Sequence, residues 1–265
     1  MRRRDAIQIS EAELARMTAD LDELHRQSLP ALADAVADAQ QQHRDRRGPV
    51  SSRSGFLAGT GLVAGGLVLA ACGSTSANDT TSGSAGIGPS GTSVAAGVET
   101  DLKVAALASG LENLAVEVYQ AGIDAATAGK LGAVPPAVVT FATTAQSQHK
   151  AHGGAWNAIL TAAGKPAVTG VDTTVKTAVT DPALAKVTDV AGLAALALEL
   201  EKVAAATYLS ALGVISSKGG LQATASIQPV EMQHAAILHF VLGQYPVPDA
   251  FALKAGARPP TDAIG

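Results

Sequence analysis

The chain has 265 residues, a formal net charge of −4 and only 3% aromatic side chains. From residue 99 onward ten Lys and Arg stand against thirteen Asp and Glu, which leaves no basic patch to hold a phosphate backbone and argues against nucleic acid as a partner. Ala, Gly, Val and Leu dominate, which favours a close-packed bundle of helices over a β-sandwich; about 150 residues suffice for such a core.

The first predicted element is "SEAELARMTADLDEL". Ser10 and Glu13 form a capping box, and Leu14, Met17, Leu21 and Leu24 fall on one stripe of an amphipathic helix that should break near Pro30. As residues 1–50, this extension reads either as a partner-binding segment or, the reading favoured by its place ahead of an export signal, as a long leader lost on cleavage. Nine of the ten arginines lie before residue 54, as expected if this part and the rest serve different surroundings.

Residues 51–72 read as that signal. "GFLAGTGLVAGGLVLAAC" is uncharged, follows a basic stretch, and is too short and Gly-rich to span a bilayer comfortably. "LAAC" resembles the lipobox of bacterial lipoproteins, which implies lipidation of Cys72, the sole cysteine. "SRSGFL" resembles the twin-arginine export motif, with Ser54 where the second arginine belongs. Residues 73–98, rich in Gly, Ser and Thr, read as a flexible linker. The expected product is tethered to the membrane by its lipid on the extracytoplasmic face.

Residues 99–245 carry four helical patterns. The first runs about 99–128 and stops at Gly129. The second opens on Pro135 and Pro136 and ends near Gly164; the third follows Asp189 as N-cap and ends before "SSKGG". The fourth runs from about 220 to Gly243, with Pro229 expected to kink it or delay its start. Short connections make first and second, and third and fourth, antiparallel hairpins. The crossover at about 165–188 is long, with "VDTTVKTAV" expected to be extended and a turn at "DPALAK". The fold class is therefore all-α, a four-helix bundle with one long crossover, followed by a tail at 246–265.

Two apolar helices carry the same polar pair. Glu112 and Tyr119 in "LENLAVEVY" are repeated 89 residues later as Glu201 and Tyr208 in "LEKVAAATY". A carboxylate buried among alanines is costly unless it meets a cation or strong donor. Glu231 and His234 in "EMQH" stand one turn apart and can reach one point. At these residues the chain resembles ferritin-like domains of the bacterial secreted type, whose di-metal bundles take one Glu from each of two helices and a Glu-x-x-His from each of the others. The resemblance implies Glu112, Glu201, Glu231 and His234 as ligands, and Tyr119 and Tyr208 as hydrogen-bond partners of the ligand carboxylates.

The second helix departs from that pattern, because "AQSQHKAHGGAW" has no acidic residue. Either Gln146 and His149 or His149 and His152 take its ligand places. Matching "EMQHAAILHFVL" to "HKAHGGAWNAIL" favours His149 and His152 and leaves Gln146 beside the ligands. Three carboxylates leave two divalent ions with one uncompensated positive charge, and imidazole does not select iron, so the implied cofactor is a transition metal among iron, manganese and zinc. Glu117, Glu199 and His239 fall on other faces of their helices. The competing reading is a metal-free scaffold for binding or stress protection, in which the three glutamates and three histidines pair with one another. A hydrolase finds no support, since Gly-x-Ser-x-Gly is missing, and a tethered domain is poorly suited to a storage cage.

Overall fold

The computed structural model describes residues 10–46, 91–248 and 252–262; Cys72, the rest of the export signal and most of the predicted linker lie outside them. Four long helices form the bundle: α2 (Gly91–Thr127), α3 (Pro136–Ala162), α6 (Val190–Ala211) and α7 (Lys218–Val241). The caps are those the sequence supplies. Asp189 accepts from Gly192 N–H at the start of α6, and Ser217 from Gly220 N–H at the start of α7. Among the described residues no helix is long and apolar enough to cross a membrane.

α2 begins at Gly91 rather than near 99, so the last part of the predicted linker is helical. α7 runs unbroken through Pro229. The ring sits on the solvent side of the helix, where the carbonyl it releases can turn to water, and Val230 and Glu231 beside it are held in the core.

The crossover is helical rather than extended. It comprises α4 (Thr173–Val175), a π-helical turn Lys176–Thr180 and α5 (Asp181–Leu184). Asp172 caps it by accepting from Val175 N–H at 2.7 Å. Val175, Val179 and Ala183, each four residues apart, pack on Leu107, Leu111, Leu196 and Leu200, so helical spacing to an apolar face overrides the strand preference of the β-branched residues. Arg258 from the tail pairs with Asp172 at 3.1 Å and fastens this cover over α2 and α6.

The larger departure is α1 (Glu11–Arg46), a fifth helix packed on α3 and α7. The Ser10 and Glu13 capping box is present, with Glu13 N–H donating to Ser10 Oγ at 3.2 Å. The helix continues through Pro30, which is exposed; a proline inside a helix costs about 3 kcal/mol, and the apolar burial along the opposite side offsets it. That side keeps Leu14 and Leu21 of the expected stripe, with Met17 packed at its edge, but not Leu24. The buried residues are Leu14, Thr18, Leu21, His25, Leu32, Ala35 and Ala39, at alternating steps of four and three with half-buried Ser28 in the remaining place, the repeat of a coiled-coil seam. Leu24 is 52% exposed. α1 meets α7 at Gly219, where a Cβ would lie 2.4 Å from Ala39 N and 2.5 Å from Ala35 O.

Candidate metal centre

Glu112, His149, His152, Glu201, Glu231 and His234 converge in the middle of the bundle, all buried. Gly153 permits the approach of α3 to α2 there, since a Cβ on it would lie 3.3 Å from Glu112 Cβ. His149 is central: Nδ1 lies 2.7 Å from Glu112 Oε2 and Nε2 3.2 Å from Glu201 Oε1. Glu231 faces His152, with Oε1 2.9 Å from Nδ1, and faces His234, with Oε2 3.4 Å from Nδ1. Glu201 Oε2 lies 3.4 Å from the same His234 nitrogen.

The tyrosines act crosswise. Tyr119 on α2 donates to Glu201 on α6 at 2.5 Å, and Tyr208 on α6 donates to Glu112 on α2. Each carboxylate is thus oriented from the opposite helix, an arrangement that the shared spacing did not reveal. Tyr208 also accepts from Trp156 Nε1–H at 2.9 Å. Burial and the adjoining carboxylates hold both phenols well above their ordinary pKa, so they remain donors.

Gln146 does not join the cluster. It donates to Gln120 Oε1 at 3.0 Å and to the Val116 carbonyl at 3.2 Å, because its place on α3 is turned toward the rim of α2. Gln148 is the glutamine at the site: His234 Nε2–H donates to its Oε1 at 2.8 Å. His25 of α1 lies with Nε2 3.2 Å from His152 Nε2. Both went unnoticed in the sequence, Gln148 because glutamine belongs to no ligand motif and His25 because it precedes the bundle by many residues. Glu117 pairs with Lys176, Glu199 with Lys202 at 3.2 Å, and His239 with Gln244 at 2.6 Å, all away from the cluster.

The electrostatics follow from mixing acids and bases in a dry interior. Burial pushes the Glu112 carboxyl up, but the His152 charge and the His149 hydrogen bond outweigh it and hold the group at about 2. Burial depresses the His152 ring, and the facing Glu112 and Glu231 reverse this and raise it to about 9. His149 and His234 are raised and Glu201 lowered for the same reason: desolvation is outweighed by opposite charges. Counted formally, three carboxylates balance three imidazolium ions.

Pairing nevertheless leaves atoms without partners. Among the described residues eight buried side-chain polar atoms have no hydrogen-bond partner, and five are His152 Nδ1, Glu201 Oε2, both Glu231 oxygens and His234 Nδ1. Some are close to one another without being aligned as hydrogen bonds. With Glu112 and His149 their residues form two overlapping sets, Glu112, His149, His152 and Glu231, and His149, Glu201, Glu231 and His234, with ligand atoms within 4.8 Å of one another in each. Orphaned acceptors are costly in a protein interior, and these N and O donors suit a divalent transition metal. The residues therefore fit such an ion. A neutral imidazole offers one lone pair, so His149 can serve either set but not both.

Beside Tyr119 a cavity of about 40 Å³ is lined by Leu14, Val118, Phe141, Leu193 and Leu238 among others. Its lining is almost wholly apolar. In comparisons with known proteins, the model of the ferritin-like domain family matches residues 100–244. No curated protein and no solved structure shows significant similarity to the chain.

Proposed function

The chain belongs to the ferritin-like family, and we propose on that basis that it binds one or two transition-metal ions at the Glu and His cluster within the bundle. The observation that carries the proposal is the convergence of five partnerless buried ligand atoms on one place. A bound ion would supply Lewis-acid or redox chemistry there. Glu112, Glu201 and Glu231 would hold it with His152 and His234, while Tyr119 and Tyr208 keep two of the carboxylates oriented and ionised. His149 would ligate in one set or, protonated, stay as a cation between Glu112 and Glu201. Redox chemistry is part of the proposal, supported by the apolar cavity beside Tyr119, which suits a small apolar molecule better than an ion.

Two divalent ions against three carboxylates leave one positive charge, so a single ion with one imidazolium retained is the neutral arrangement. Iron, manganese and zinc all suit these ligands. A lipid anchor at Cys72 and an extracytoplasmic location also belong to the proposal, resting on "LAAC" and the uncharged run before it.

The second reading is the metal-free scaffold. It is favoured by His149, whose two ring nitrogens already bridge Glu112 and Glu201. Metal titration of the chelator-treated full chain separates the two. A metal at one hundred times its dissociation constant should stabilise the fold by about 2.7 kcal/mol. Glu231→Gln should abolish most of that gain and Glu117→Gln, at the exposed Lys176 pair, none of it. A melting temperature unmoved by zinc, iron and manganese alike would leave the scaffold as the account.

A further inference from the structure

The metal cluster has two histidines that point Nδ1 inward, and each has its outer nitrogen held. Gln148 holds His234 Nε2 at 2.8 Å. For His152 the partner is His25, at 3.2 Å between the two Nε2 atoms. Such outer contacts fix which ring nitrogen carries the proton and which offers its lone pair to the ion. Gln148 lies inside the residues matched to the ferritin-like family and His25 lies outside them, on a helix added to the four of the bundle.

Several contacts fix α1 in the register that brings this group to His152. Its buried seam passes through Thr18 and His25 as well as Leu14, Leu21, Leu32, Ala35 and Ala39, while Leu24, one residue from His25 and apolar, is 52% exposed. The register is held by Gly219, which admits the α1 backbone, by Gln40 donating to the Ala158 carbonyl at 3.2 Å, and by Lys218 paired with Asp38 at 3.1 Å. His25 is buried. With metal on His152 Nδ1, the His152 proton must sit on Nε2, and only a neutral His25 can accept it.

We propose that α1 is a fifth helix of the metal centre and that His25 is its positioning residue, accepting the Nε2–H of His152 so that the Nδ1 lone pair faces Glu112 and Glu231. The inference rests on the proposed metal site. Its range is narrow: His25 touches neither the ion nor any carboxylate, and acts through the orientation and proton position of one ligand.

The test is Co(II) titration of the full chain, read by the visible absorption of the bound ion, for wild type, His25→Phe and His25→Gln. Phe keeps the ring volume and loses the acceptor; Gln restores an acceptor through Oε1. Affinity should fall about 10–100-fold in His25→Phe and return to within a few-fold of wild type in His25→Gln. Imidazole NMR of the metal-free protein supplies a readout that packing alone would not move: the His152 Nε2–H should show the downfield shift and slow solvent exchange of a hydrogen-bonded proton in wild type and in His25→Gln, and lose both in His25→Phe. If wild type takes up no Co(II), the metal reading falls and this inference with it. If wild type binds and His25→Phe binds equally well, or binds weakly with the His152 proton unchanged, the metal site stands and the role of His25 is overturned.

Discussion

Tyr119 and Tyr208 look equivalent in sequence, yet they should not be equivalent in energy. Tyr119→Phe removes one hydrogen bond, the 2.5 Å donation to Glu201, and keeps the ring that packs beside His149. A hydrogen bond to a charged group contributes about 1.5–3 kcal/mol. Tyr208→Phe removes the corresponding donation to Glu112 and also strands Trp156 Nε1–H, which donates to Tyr208 at 2.9 Å from a side chain only 1% exposed. An unsatisfied buried donor costs about 1–3 kcal/mol, so the loss at Tyr208 should total about 2.5–6 kcal/mol. Neither change opens a cavity of consequence, because only an oxygen is deleted. Urea unfolding of the chelated protein, with m held constant, measures both. Equal losses, or a larger one for Tyr119→Phe, would refute the assignment of Trp156 and the crosswise carboxylate contacts as the source of the difference.

In the chelated protein the cluster should make stability peak near pH 6.5. His152 is raised to about 9 in the fold, so its contribution is complete below 6.5 and is lost as pH climbs through 9. His25 is lowered to about 4, chiefly by burial and then by His152, so stability also declines from 6.5 toward 4, and Glu112, held at about 2, extends the decline. Thermal melts across pH 4 to 9 check this, and a flat profile above 6.5 contradicts it. Gly219→Leu should undock α1, since even a Cβ collides with the Ala35 and Ala39 backbone; limited proteolysis should then cleave α1 while α2, α3, α6 and α7 survive. Cys72→Ser should move the protein from the membrane fraction to the soluble one on cell fractionation, and unchanged partitioning counts against a lipid anchor.

What could be read from the sequence was the part governed by periodicity and punctuation. The four bundle helices, the Asp189 cap and the inward Glu112, Glu201, Glu231 and His234 all follow from spacing within one element. His149 with His152, preferred over Gln146 by matching two helices, also stand together in the cluster. The crossover was misread because Val and Thr prefer strands, a preference that yields when Val175 and Val179 can face Leu107 and Leu200 at helical spacing. α1 was misread for the opposite reason. Its apolar residues point to a stripe through Met17 and Leu24, whereas the helix buries Thr18 and His25, because what α3 presents to it at His152 is polar. Contacts between elements far apart in sequence, such as Tyr208 with Glu112 or His25 with His152, have no periodic signature.

The two parts of the proposed function constrain each other through α1. Cleavage before Cys72 would separate α1 from the bundle covalently and, because the basic part of a signal stays on the cytoplasmic side, would leave α1 across the membrane from an exported bundle. A helix whose seam is buried from Leu14 to Ala39 has reason to remain; a helix lost on processing would uncover α3 at His152. The state of the mature protein therefore decides how the site meets solvent. Intact-mass analysis under native conditions distinguishes the two. An uncut chain keeps His25 at the cluster, whereas a bundle beginning at Cys72 would have His152 without its outer partner and should bind metal as weakly as His25→Phe.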